Sequence, residues 1–248
     1  MAPIGAHATV RPALPRYLIV NADDFGASRG INRGIVEAHE RGVLTSASLM
    51  VERPCAGEAA ELAAAHPNIS VGLHFEAPDR PGFDPRDAAS AGPELERQLA
   101  RFGELMGRPP THVDSHHHVH RQPGALEAFT ELVGPLGVPL RDASPVAYIG
   151  GFYAQWEWEV TELRYVSVEF LQQILRTELT AEWTELGCHP GYVTDDFQSV
   201  YLGEREHELR TLTDPRVRET LAELDIELRS FAQYRATQPV LRRYTDSP

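Results

Sequence analysis

Cysteine is almost missing from this chain of 248 residues: only Cys55 and Cys188 occur, far apart. Two such residues make no disulfide framework, and a buried, inert Cys188 is expected. Positive charge is also scarce, with 23 Lys+Arg against 36 Asp+Glu and a net charge of −13. Nucleic acid and anionic membrane surfaces both ask for a basic face, so neither is an expected partner. No apolar run approaches the roughly 20 residues of a membrane span. The early sequence lacks a signal-peptide core, its longest apolar stretch being Tyr17-Leu18-Ile19-Val20. Gly-x-Ser-x-Gly, Walker-A and Gly-x-Gly-x-x-Gly motifs are all absent, which removes the usual cues for a serine hydrolase or a nucleotide cofactor. A cytoplasmic enzyme is the remaining expectation. Histidine is the anomaly in what is present: 11 residues, five of them between His112 and His120.

Residues 1–15 carry three prolines without periodicity and read as a flexible leader before one domain over 16–248. Short β-type runs then alternate with helical patterns. Strands are expected at 17–21, 46–51, 69–74, 112–115, 138–141, 183–189 and 225–230. Helices are expected at 31–40, 56–65, 93–106, 124–133, 167–179 and 215–224, with Pro93 in a first helical position. Such alternation implies right-handed βαβ units and a parallel sheet. About seven strands with outer helices suit a single-domain, distorted (β/α) barrel, and an open doubly wound sheet is the alternative. Residues 145–165 are rich in aromatics and too irregular to assign. They could make a lid, a homodimer contact, a packed loop or faces for sugar rings.

Four polar clusters follow expected strands: Asn21-Ala22-Asp23-Asp24-Phe25-Gly26, Gly72-Leu73-His74, Asp114-Ser115-His116-His117-His118-Val119-His120 and Cys188-His189-Pro190. Parallel α/β folds collect active sites at the C-terminal ends of their strands, so these distant segments should converge. Asp23 and Asp24 repel each other unless a cation or proton relieves them. One as metal ligand and one as base is a natural division, but spacing does not say which is which. If strand alternation persists through the histidine block, Asp114, His116, His118 and His120 share one face. One of these would serve as ligand, and the others would support it or touch substrate. His74 and His189, each at a strand end, are further candidates.

These residues resemble the YdjC-like carbohydrate deacetylase family. The resemblance runs from Leu18-Ile19-Val20-Asn21-Ala22-Asp23-Asp24-Phe25-Gly26 through Gly72-Leu73-His74-Phe75 and the block His112–His120 to Leu140-Arg141 and Cys188-His189-Pro190, over roughly residues 17 to 192. It implies a distorted barrel, one divalent metal ion (zinc or magnesium) and hydrolysis of the N-acetyl group of an amino sugar or glycoconjugate. By the same resemblance Asp24, His74 and His116 are the metal ligands, Asp23 the general base and His189 the acid. Asp114, His118, His120 and Arg141 are supporting or substrate-contacting candidates. Two histidines and a carboxylate leave coordination positions open for water and a carbonyl oxygen. Another metal-dependent hydrolase, a phosphoesterase or cyclic amidase, is the competing enzyme reading. A carbohydrate-binding protein without catalysis is the non-enzyme reading.

Overall fold

The computed structural model describes residues 15–237, so the expected leader, apart from Pro15, lies outside the described residues. Seven strands occur among them: β1 (Arg16–Phe25), β2 (Ser46–Leu49), β3 (Ser70–Phe75), β4 (Val113–Ser115), β5 (Ala147–Ile149), β6 (Trp183–Cys188) and β7 (Ile226–Leu228). The helices are α1 (Arg29–Arg41), α2 (Ala56–Ala65), α3 (Ala88–Met106), α4 (Pro123–Val133), α5 (Val168–Thr177), α6 (Gly203–Leu212), α7 (Pro215–Glu223) and α8 (Phe231–Thr237). Every strand pairing is parallel, in the order β4-β3-β2-β1-β6-β5. That order follows the chain around an incomplete barrel, as expected from the alternation. The long β1 serves three neighbours. One edge pairs with β6, while the other pairs with β7 near Arg16–Leu18 and with β2 from Asn21 onward.

Several expectations need correction. The stretch 138–141 contributes one parallel bridge, Val113 to Leu140, rather than a strand. Pro139 has no N–H to donate, so only its carbonyl (to Val113 N, 2.9 Å) and the Arg141 N–H (to Val113 O, 3.1 Å) join the ladder. The fifth strand instead lies inside the aromatic segment. Helix α3 starts at Ala88, capped by the Asp87 side chain on Ala89 N, and carries Pro93 within it. Helices α6 and α8 were not expected. The histidine block leaves the strand after Ser115 and becomes a short 3-10 segment, with His117 (φ 52°) and His118 (φ 53°) left-handed. Strand alternation therefore stops there, and the proposed shared face does not form.

The barrel interior changes character along its axis. Ile19, Val146, Trp183, Phe231 and Tyr234 form a separate apolar cluster at the N-terminal mouth. Helix α8 closes that mouth: Phe231 N donates to Ser46 Oγ (3.4 Å) and Ala232 N to Ser70 Oγ (2.9 Å), the first residues of β2 and β3. Further along β1 the same alternation places Asn21 and Asp23 inward, so the opposite mouth is polar. The larger core lies between sheet and helices. Among the described residues no helix is long and apolar enough to cross a membrane.

Phe231 is buried and stacks on the His112 ring with centroids 3.9 Å apart. Phe231→Ala should cost about 3–5 kcal/mol, read as a lowered urea midpoint. A loss under about 1 kcal/mol would show that α8 is not a structural plug.

Candidate active site

The turn after β1 aims two adjacent carboxylates in different directions. Asp23 continues the inward alternation, whereas Asp24 takes a left-handed backbone (φ 67°) as the β1–β2 register shifts between Ala22 and Phe25. Gly26 (φ 91°) completes the turn, and its N–H donates to Asn32 Oδ1 at 2.7 Å. The strained backbone is thus braced from α1.

Asp24 Oδ1 lies 3.4 Å from His74 Nε2 and 3.3 Å from His116 Nδ1. One donor atom from each of these three residues falls within 4.8 Å of the others. Asp24 Oδ1 and His74 Nε2 are both buried with no hydrogen-bond partner. Buried polar atoms rarely remain unpaired, and two such atoms facing a third imidazole nitrogen fit a divalent cation. The outer nitrogen of His74, Nδ1, meets Asp114 Oδ1 at 2.6 Å, the arrangement that fixes the ring of a metal-binding histidine. Asp114 is itself held, its Oδ2 accepting from Ser48 Oγ at 2.6 Å, and Ser48 Oγ lies 3.0 Å from His112 Nε2. Asp23, His74 and Asp114 form a second cluster, but there a guanidinium already supplies the positive charge.

That guanidinium belongs to Arg141. Its two terminal nitrogens each donate to a different Asp23 oxygen at 2.8 Å, and the same side chain reaches Glu185 Oε1 (2.6 Å) and Asp114 Oδ2 (2.7 Å). Burial and the neighbouring Asp114 work against the Asp23 charge, but the Arg141 guanidinium outweighs them and lowers the carboxyl pKa. Asp23 is therefore an ionised, oriented carboxylate beside the cluster. Glu185 is different: burial pushes it up to about 7 despite Arg141.

His189 sits across from Asp23, with Nε2 3.9 Å from Asp23 Oδ2 and Nδ1 3.8 Å from Glu208 Oε1. Burial holds its imidazole down to about 4, so it rests neutral at pH 7. Cys188 is buried and donates through Sγ to Asn21 O (3.3 Å), as expected of an inert thiol. The rest of the histidine block divides. His117 packs at a tilt against His116 (3.8 Å between centroids), and His118 packs edge-on against Tyr148 (5.6 Å). His120 turns away to Ser115 Oγ (2.6 Å) and lies near Phe129.

Two residues escaped the sequence reading. Arg205 donates to Asp24 Oδ2 at 2.6 Å, opposite the oxygen that faces the histidines. Glu208, one turn later on α6, accepts from the His189 backbone N–H and from the Tyr201 hydroxyl. Both are buried. The readable signal was the polar run Gly203-Glu204-Arg205-Glu206-His207-Glu208, with too few apolar residues for a helix that only meets solvent.

The sequence model of the YdjC-like protein family matches residues 17–223. The chain belongs to the YdjC-like family. The match runs beyond Tyr192 and takes in the helix bearing Arg205 and Glu208. A chitooligosaccharide deacetylase from Serratia marcescens is 36% identical over 258 residues, covering 88% of this chain and 99% of the relative. A carbohydrate deacetylase from Geobacillus stearothermophilus is 34% identical, covering 89% and 99%. Among solved structures, an Enterococcus faecalis protein provisionally described as a cellobiose-phosphate cleavage protein superposes with a TM-score of 0.74. It is 25% identical, and the match covers 89% of this chain and 99% of that one.

For this YdjC-like protein, Asp114→Asn should weaken divalent-metal binding about 10- to 100-fold while the fold persists. Competition with a chromophoric chelator measures it, and unchanged affinity would remove Asp114 from the support of His74. A second expectation concerns pH. Burial raises Glu208 to about 8, above its unfolded value of 4.5, so the folded chain holds the extra proton, and stability falls as pH rises between those values and levels off above 8. Between pH 6.5 and 8.5, Glu208→Gln should flatten that fall in urea titrations. An unchanged slope would mean that Glu208 is already ionised in the folded protein.

Proposed function

We propose that this protein hydrolyses the N-acetyl group of an amino sugar in a small saccharide or glycoconjugate, releasing acetate and a free amine, with one divalent metal ion. The observation that carries the reading is the convergence of Asp24 Oδ1, His74 Nε2 and His116 Nδ1, two of them buried and unpaired, beside an Asp23 clamped by arginine. Relatives named as chitooligosaccharide and carbohydrate deacetylases support the substrate class.

Asp24, His74 and His116 would hold the metal, and a donor set of two imidazoles and one carboxylate favours zinc, iron or cobalt over magnesium. When bound, such an ion polarises an amide carbonyl and acidifies water. Asp23 takes the proton from the attacking water as the new C–O bond forms. His189 rests neutral, so the proton it delivers is the one relayed from Asp23, across a gap of 3.9 Å. As the C–N bond breaks, His189 passes that proton to the departing nitrogen. Glu208, facing Nδ1 and accepting from the His189 backbone N–H, holds the ring in place. Arg141 keeps Asp23 ionised and aimed between turnovers, and Arg205 fixes the rotation of the Asp24 carboxylate so that Oδ1 faces the histidines.

The metal-loaded protein should release acetate from an N-acetylglucosamine-type mono- or disaccharide, and far less from acetyl-lysine peptides or insoluble chitin. Efficient cleavage of acetyl-lysine peptides with no amino-sugar activity would overturn the assignment. Asp23→Asn should keep its metal and lose about 10²–10⁴-fold in kcat. Loss of metal in that variant, with retention in Asp24→Asn, would interchange the two aspartates.

A further inference from the structure

Seven large hydrophobic side chains are conspicuously exposed among the described residues, and six of them lie on two loops: Trp156, Trp158, Val160 and Leu163 on one, Val193 and Val200 on the other. Both loops leave the C-terminal ends of strands, β5 and β6, on the rim that carries the site. They are also tied together. Gln155 Nε2 donates to Val200 O (2.9 Å), Ala154 N donates to the Tyr201 hydroxyl (3.2 Å), and Tyr153 stacks on Tyr201 with ring centroids 4.5 Å apart. Scattered exposed apolar residues need no explanation, but a contiguous group beside a catalytic centre marks a binding surface.

The first loop is a short arm. Glu162 N donates to Ala154 O (2.7 Å) at its base, and Val160 N donates to Glu157 O (3.1 Å) near its tip. Between these closures it presents Trp156, 59% exposed, and Trp158, 76% exposed. Its root is at the site, since the Tyr153 ring lies 5.4 Å from that of His189. Trp158 is five steps along the chain from Tyr153, a reach of at most about 18 Å, which a short oligosaccharide can span. The aromatic segment thus divides. Tyr148 and Phe152 pack inward, Tyr148 with Arg141 over its ring at 4.6 Å, and only the two tryptophans are offered outward.

Charge narrows the occupant. Glu157 and Glu159 flank Trp158, and Asp195 lies on the second loop. None of the three makes an ion pair among the described residues. The one arginine of the arm, Arg164, is taken up by Glu162 at 2.5 Å. Indole faces suit the C–H faces of a pyranose, and uncompensated carboxylates beside them suit a cation.

We propose that this arm is a subsite for a sugar unit linked to the reacting one, and that it takes a hexosamine whose amine is free and protonated. The inference rests on the deacetylase reading: the unit held at the arm has the chemistry of the reaction's own product. A partly deacetylated oligosaccharide is therefore held better than a fully acetylated one. Like charge at the rim repels acidic sugars from the same surface.

The test separates binding from turnover. Trp183, the remaining tryptophan, is buried, so fluorescence quenching reports on the arm. In the Asp23→Asn background a partly deacetylated trisaccharide, keeping one N-acetylglucosamine unit for the reaction site, should quench and bind more tightly than the fully N-acetylated trisaccharide, with affinity falling as salt rises. Trp158→Ala should raise its Kd about tenfold. Glu157→Gln with Glu159→Gln should erase the preference for the free amine and its salt dependence, leaving the acetylated ligand unaffected. Equal binding of the two trisaccharides, or a dimer that dissociates on Trp156→Ala and Trp158→Ala, would overturn the subsite. If binding follows the expected pattern while wild-type protein releases acetate from no N-acetyl saccharide, the deacetylase reading fails and the subsite stands.

Discussion

A single buried guanidinium makes the interior of this barrel possible. Arg141 touches Asp23, Asp114 and Glu185, which come from three different strands, and all four groups are almost wholly withdrawn from water. Carboxylates packed this closely would protonate or push the strands apart without a cation among them. The planar arginine fork grips both Asp23 oxygens through two nitrogens while reaching the other two carboxylates, a geometry that the single nitrogen of a lysine does not offer. The chain contains no lysine; all 23 of its basic residues are arginine. Asp114 is thereby free to fix His74, and Asp23 stays ionised beside Asp24, His74 and His116.

The second buried arginine works from outside the barrel wall. Arg205 reaches Asp24 from α6, and Glu208 on the same helix grips the backbone of His189. Asp24 and His189, the proposed metal carboxylate and the proposed acid, are therefore referred to one rigid element. A small displacement of α6 would move both together. At the far end of the axis α8 seals the barrel with aromatic rings, so polar chemistry is confined to one mouth.

Most of the strand–helix order was legible because buried parallel strands are short apolar runs and their helices show a 3.6-residue stripe. Leu18-Ile19-Val20 and Ile69–Leu73 are of that kind, and the polar residues that follow them, Asp23, Asp24 and His74, stand at the rim by topology alone. The failures have equally local causes. Pro139 reads as part of a β run yet cannot donate to the ladder. The histidine block has no apolar period to show that it bends out of the strand. Helix α6 buries charge rather than hydrocarbon, so hydrophobic patterning passes over it.

The sequence by itself determined the alternation of parallel strands and helices, the rim and the residue types of the site, because those depend on local periodicity and on which groups follow a strand; closure into a barrel rather than an open sheet was decided by the fold. The sequence left open which of Asp23 and Asp24 faces His74 and His116, since adjacent residues differ only in backbone rotation. The left-handed turn at Asp24, braced by Asn32, decided that in the folded chain. Only tertiary structure brought Arg141, Arg205 and Glu208 to the same few ångströms. Their partners lie 118, 181 and 19 residues away in sequence, and charge pairing at such distances leaves no periodic trace.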